Sequence, residues 1–108
     1  MPKYAVFFTF TGQSVQALID KPSDRKEVVR SLAESAGGSM ECYYLMFGES
    51  DGFAVLDLPD SSTAAALSLR VASSGGFHHL DTHELIEADD LGGILEKAKA
   101  ITYSPPGS

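Results

Sequence analysis

The sequence predicts an α+β fold, a four-stranded antiparallel sheet with two helices on one face, and three observations carry that reading. Tyr43–Phe47 and Gly52–Leu58 are apolar and aromatic runs on either side of a short acidic turn, the pattern of a β-hairpin. An amphipathic helical stretch lies on each side of this hairpin, and each ends in a glycine pair, Gly37-Gly38 and Gly75-Gly76. A further strand pattern precedes the first helix, and another follows the second.

Taken in order, the run from Lys3 to Thr11 is almost continuously apolar, which fits a strand covered on both faces and therefore central. Gly12 ends it. Val15, Leu18 and Ile19 fall at helical spacing until Pro22 interrupts them. Asp24-Arg25-Lys26-Glu27 has capping-box spacing and opens a helix that carries Val28, Leu32 and Ala36, with Val29 and Ala33 beside them. The second strand is predicted over about 39–47 and the third over 52–58. Pro59-Asp60-Ser61-Ser62 reads as a turn and helix cap. The helix predicted over 63–73 has Ala64, Leu67 and Val71 on one stripe, with Ala65, Leu69 and Ala72 adjoining. Its three consecutive alanines suggest close packing on a sheet. A fourth strand is predicted over 77–86. A terminal helix runs from Asp89 or Asp90 to about Ala100, weakened by Gly92-Gly93. Residues 1–102 form one domain in this reading, and 103–108, with Pro105-Pro106-Gly107, a flexible C-terminal tail.

This order, with right-handed crossovers, is the ferredoxin-like βαββαβ arrangement with spatial strand order 4-1-3-2 plus a C-terminal helix. Both helices then cover one sheet face. The other face carries aromatic and aliphatic side chains that are too apolar to leave wet. Self-association, sheet against sheet, is the simplest cover and gives a homodimer or higher homo-oligomer.

Composition narrows the function. The chain has 108 residues and a net charge of −7, and Arg25-Lys26 is its tightest cationic pair. That opposes binding to a phosphate backbone, so nucleic acid is excluded as a partner. Asp51-Gly52-Phe53-Ala54-Val55 is similar to the third-strand signature of RNA-recognition motifs, but an acid stands where the pattern needs Lys or Arg. A single cysteine, Cys42, rules out an internal disulfide and reads as a small buried hydrophobe. No long apolar span or signal-like segment is present, so neither membrane insertion nor export is expected, and the location expected is cytoplasmic. No phosphate loop, nucleophile elbow or zinc-protease motif occurs, and no cofactor is expected.

Residues 77–84 form the densest polar stretch. On a strand, His79, Asp81 and His83 share one face, and His79 with Asp81 is close enough in sequence to chelate a metal. The first reading is a polar edge strand that blocks edge pairing. An acid–base histidine comes second and a metal third. Asp51, beside Tyr44, is either a base and ligand anchor or the acid of an Asp-Gly turn. Tyr44, Asp51 and His79 are thus the ligand-binding and proton-handling candidates.

The residues resemble the GYD domain family, small ferredoxin-like proteins related to the dimeric α/β barrels. The resemblance runs over about 1–87 and rests on Met1-Pro2-Lys3-Tyr4, Thr11-Gly12-Gln13, Gly37-Gly38, Tyr44, Gly48-Glu49, Asp51, Pro59-Asp60 and the alanine-rich second helix. One departure stands out: Ser50 occupies the place where the family's Gly-Tyr-Asp signature has Tyr. The resemblance implies a fold and an oligomer, a dimeric α/β barrel, and supplies no reaction. The functional expectation is a homo-oligomeric binding or regulatory module with a small apolar ligand between sheet and helices or at the subunit interface. The alternative is a small cofactor-free or metal-assisted enzyme of the dimeric α/β barrel type.

Overall fold

The structure, a computed structural model, describes residues 1–107. Its strands are β1 (Lys3–Phe10), β2 (Ser39–Leu45), β3 (Gly52–Asp57) and β4 (Phe77–Glu84). Its helices are α1 (Gly12–Asp20), α2 (Arg25–Ser35), α3 (Ser61–Ala72) and α4 (Leu91–Lys99), with a 3₁₀ turn at Ala88–Asp90. The sheet order is β2-β3-β1-β4 with every neighbouring pair antiparallel, as the element order requires.

Local chemistry sets the helix ends. Thr11, Asp24 and Asp60 cap α1, α2 and α3 by accepting from the backbone N–H groups of Ser14, Glu27 and Thr63. The Thr63 side chain, then its backbone N–H (2.8 Å) and then the Ser62 hydroxyl hold the Asp60 carboxyl below the usual carboxylate range. At Asp24 only half of the predicted capping box forms, because Glu27 turns away to pair with Arg30. Helix α2 closes with a Schellman motif: Gly38 N–H donates to Ala33 O (2.9 Å) and Gly37 N–H to Glu34 O (3.0 Å).

The pleat divides β1 between two environments. Tyr4, Val6, Phe8 and Phe10 face the helices, where Ala33 of α2 and Ala64 and Leu67 of α3 meet Ala54, Leu56 and Leu58. Tyr4 is 2% exposed and Phe8 5%. The Tyr4 hydroxyl donates to Glu84 (3.0 Å), and Ser61 bonds the same carboxylate oxygen (3.0 Å), tying β1, α3 and β4 together. Ala5, Phe7 and Thr9 take the opposite, helix-free face, beside Phe53 and Val55 of β3.

Several expectations are corrected. Strand β2 stops at Leu45, not at Phe47, because Met46 N–H donates to Asp51 O and closes the hairpin, leaving Phe47 fully exposed. Strand β4 ends at Glu84, two residues before Ile86. Helix α3 starts at Ser61 under the Asp60 cap, before the predicted Thr63. Of its three consecutive alanines only Ala64 is buried, since a 3.6-residue period cannot turn three neighbours onto one face. The buried side of α2 centres on Val29 and Ala33, with Val28 exposed. Helix α1 buries none of its residues. Cys42 is half-buried on the open face opposite Val55, not in the helix-side core. Residues 103–107 form neither helix nor strand, and Ser108 of the predicted tail lies outside the described residues.

Helix α4 forms as predicted but does not fold over the sheet. None of its residues is buried, and Leu91, Ile94 and Leu95 are exposed. The radius of gyration is 17.4 Å, against about 13 Å for a compact chain of this length. The C-terminal segment stands off the βαββαβ unit.

Candidate functional site

Two regions of the molecule have the chemistry of a site. The first is the open sheet face. Phe7 stacks on Phe53 (ring centroids 5.5 Å apart), and Tyr44 lies against Phe53 at 5.7 Å. The register places Cys42, Val55 and Ala5 next to them. One end of this apolar centre is closed by ions: Lys3 Nζ lies 2.8 Å from Asp57 Oδ1 and 3.3 Å from Glu41 Oε1. The Asp57 carboxylate, and after it Glu41, hold the Lys3 ammonium above its ordinary value against an opposing desolvation. The β4 side is closed by His79, Asp81 and His83. An apolar centre with a polar rim is the anatomy of a protein interface.

The predicted site residues lie on or beside this face, but the single chain does not gather them. Tyr44 is on β2 and His79 on β4, the two outer strands, three strand spacings or about 14 Å apart. The close polar pair on β4 is His83 with Asp81, Nε2 to Oδ2 at 3.0 Å; His79, which the spacing offered with Asp81 as a chelating pair, is not part of it. Among the described residues no group of three or more His, Cys, Asp or Glu side chains could hold a metal ion.

Asp51 has a structural task. Its carboxylate accepts from Phe10 N–H (2.8 Å), its own N–H donates to Phe8 O (2.8 Å), and its carbonyl accepts from Met46 N–H (2.9 Å). The side chain takes the place of a backbone carbonyl where β1 outruns the hairpin. Asp51→Ala is therefore expected to leave the Phe10 N–H without a partner and to cost about 1–3 kcal/mol in denaturant unfolding. Unchanged stability in that variant would contradict the role.

The second region lies between sheet and helices. A cavity of about 40 Å³ is walled by Phe8, Leu32, Leu56, Leu67, Val71 and Phe77, with Tyr43, Arg25 and Ser68 as its polar members. Phe10, Arg25 and Phe77 also border a recess of about 350 Å³ against α1, which adds Ser14, Lys21 and Ser23. Burial pushes the Tyr43 phenol up; the Arg25 charge pulls against this and Asp24 adds to it, so the hydroxyl stays protonated at neutral pH. Sequence reasoning allowed a ligand between sheet and helices or at a subunit interface, but singled out none of the residues that line this cavity. The available signal was Arg25-Lys26 in the first turn of α2, where the helix dipole disfavours cations.

Comparison with known proteins places the fold in context. The glutamine synthetase and cystathionine beta-lyase binding protein of Thermus thermophilus is 31% identical over 91 residues, which are 84% of this chain and 95% of that one. A protein of solved structure, also from Thermus thermophilus, superposes with a TM-score of 0.56 at 19% identity, covering 82% of this chain and 96% of that one. A NIPSNAP domain protein from Burkholderia xenovorans gives 0.51 at 13% identity, covering 82% and 95%. At these identities the superpositions establish the fold alone. The profile of the GYD domain matches residues 4–95. By that match, over most of its length and across all four strands and the cavity between sheet and helices, the chain belongs to the GYD domain family.

Proposed function

We propose that the protein is a homo-oligomeric binding module that takes a small apolar ligand between its sheet and its helices. The observation that carries this reading is the helix-side cavity, whose walls come from both layers and are almost wholly apolar. The open face supports the oligomer: Phe7, Phe53, Val55 and Tyr44 form one apolar surface with no helix of this chain above it, and a second copy packed sheet to sheet would cover it. That arrangement would be the dimeric α/β barrel. A cytoplasmic location goes with it, in keeping with the single free thiol. Among the described residues no helix is long and apolar enough to cross a membrane.

The test is a thermal shift series with small neutral apolar probes such as isopropanol, isobutanol and cyclopropylmethanol, sized to the cavity. At least one is expected to raise Tm and to move the NMR signals of Phe8, Tyr43 and Leu67. Val71→Phe, which fills the cavity, is expected to remove both effects. No stabilisation and no movement of these signals would reject the reading.

A second reading has its own support. The Thermus relative is named as a binding protein of two enzymes. Helix α4 offers Leu91, Ile94 and Leu95 on an exposed surface that a partner protein could cover. The enzyme alternative requires Tyr44, Asp51 and His79 to act on one substrate, and here Asp51 is occupied by a backbone amide while the other two sit on opposite edges.

A further inference from the structure

We propose that the ligand of the helix-side cavity is an organic anion, a carboxylate on a short apolar body, whose head group is held where the cavity meets the adjoining recess, by Arg25, which borders both, and by Tyr43 on the cavity side. This rests on the reading of the cavity as a ligand site and assigns its chemical class.

Charge is the first support. The chain has 15 acidic residues and 8 basic ones, yet neither the cavity nor the recess against α1 has an Asp or Glu in its lining. Both include Arg25, and the recess adds Lys21. In a protein of net charge −7 this is a local reversal of sign at the mouth of an apolar chamber.

The second support is that the guanidinium is uncommitted. Arg25 forms no salt bridge or side-chain hydrogen bond among the described residues. Its acidic neighbours have other partners: Asp24 accepts from Glu27 N–H, and Glu27 pairs with Arg30. Asp24 borders a third recess, on the β2 side, which Phe10, Arg25, Lys26 and Tyr43 also line, so its one carboxylate stands against three cations, Lys21, Arg25 and Lys26, around these connected spaces. Arg25 also lies in the first turn of α2, where the unsatisfied N–H groups carry partial positive charge. The cation and the dipole therefore reinforce one another, which costs helix stability and favours an anion.

Shape and donors complete the argument. A cavity of about 40 Å³ admits an apolar group of only a few heavy atoms, while the recess of about 350 Å³ has room for a head group and its hydration. Phe10, Phe77 and Arg25 border both spaces, so one compact molecule can occupy the two together. Arg25 presents a planar fork of donors that matches a carboxylate. Tyr43, protonated at neutral pH, supplies a further donor beside it.

Matched pairs of acid and alcohol provide the test: hexanoate against hexanol, and phenylacetate against phenethyl alcohol, titrated at low ionic strength with Tyr43 and Phe10 followed by NMR. The acids are expected to bind about tenfold or more tightly than the alcohols and to weaken as sodium chloride is raised. Arg25→Gln, checked for an unchanged circular dichroism spectrum, is expected to erase the preference for the acid while leaving the alcohol's affinity within about twofold. Equal binding of acid and alcohol would overturn the anion assignment and leave the apolar site standing. A preference that survives Arg25→Gln but falls in Lys21→Gln would overturn the role of Arg25. Binding of inorganic phosphate as tight as that of the acids would show that the apolar body contributes nothing. If neither acid nor alcohol binds, the ligand site itself falls.

Discussion

Phe7→Asp is expected to convert the proposed homodimer to folded monomers, whereas Phe8→Asp, one residue along the same strand, is expected to abolish folding. The two phenylalanines lie on opposite faces of β1. Phe7 stacks on Phe53 in the open face, and Phe8 is 5% exposed beneath the helices against Tyr43, Phe10 and Phe77. A standard interface buries about 800 Å² per partner, and at about 25 cal/mol per Å² that is a gross gain of order 20 kcal/mol, from which the cost of association is subtracted. A carboxylate placed at its centre would be buried without a partner, at several kcal/mol, so the dimer Kd is expected to rise at least about a thousandfold. In the isolated monomer the same Asp would be wet and nearly harmless. At Phe8 the loss of a buried aromatic, about 3–5 kcal/mol, adds to the burial of a charge, and together they approach the whole stability of a small domain. Light scattering at micromolar concentration should give wild-type protein at twice the chain mass or more, and Phe7→Asp at 11.5 kDa with an unchanged circular dichroism spectrum. Wild-type protein that is a stable monomer under those conditions would remove both the dimer and the barrel.

The contrast between Phe7 and Phe8 also shows where the sequence is legible. The alternation of β1 divides its side chains into two sets with certainty, because the pleat has a period of two. It does not say which set meets the helices, since both sets are apolar. Features whose cause lies within four or five residues were read well: the cap at Asp24, the glycine pairs after α2 and α3, and the hairpin; the strand order followed from the element order and the hand of the crossovers. Features whose cause is a residue far along the chain were not. Asp51 looks like an Asp-Gly turn acid or a catalytic base, and only the fold brings the Phe10 amide to it across 41 positions. Arg25 is part of a scattered charge pattern until α1 and β4 are set around it. Helix α4 has a readable apolar stripe, but a stripe states that something covers it and not what. The family's usual Tyr is Ser50 here, half-buried in the hairpin turn, and the turn still closes through Met46 and Asp51. The backbone bonding of this segment is therefore made without the missing ring.

The two glycines after α2 separate two reasons for being glycine, and Gly38→Ala is the larger expected loss. Gly37 has φ +85, the left-handed region of a helix C-cap, and an added methyl would meet nothing closer than Pro59 at 3.5 Å. Gly37→Ala is therefore expected to cost about 1–2 kcal/mol, the strain of that conformation alone. Gly38 has ordinary backbone angles but no room. A Cβ there would lie 1.9 Å from the carbonyl oxygen of Asp57 and 3.1 Å from the Leu58 side chain. The obstructing atom is backbone at the end of β3, so no rotamer change relieves the clash. The end of α2 would have to part from β3 where Ala33 and Leu58 are completely buried. Opening that contact also strains the bond from Gly38 N–H to Ala33 O that completes the cap. Gly38→Ala is expected to cost about 3 kcal/mol or more, a fall in Tm of more than about 10 °C for a domain of this size. Thermal unfolding of the two variants side by side decides the matter. Equal losses would mean that backbone conformation, and not the approach of α2 to β3, selects both glycines.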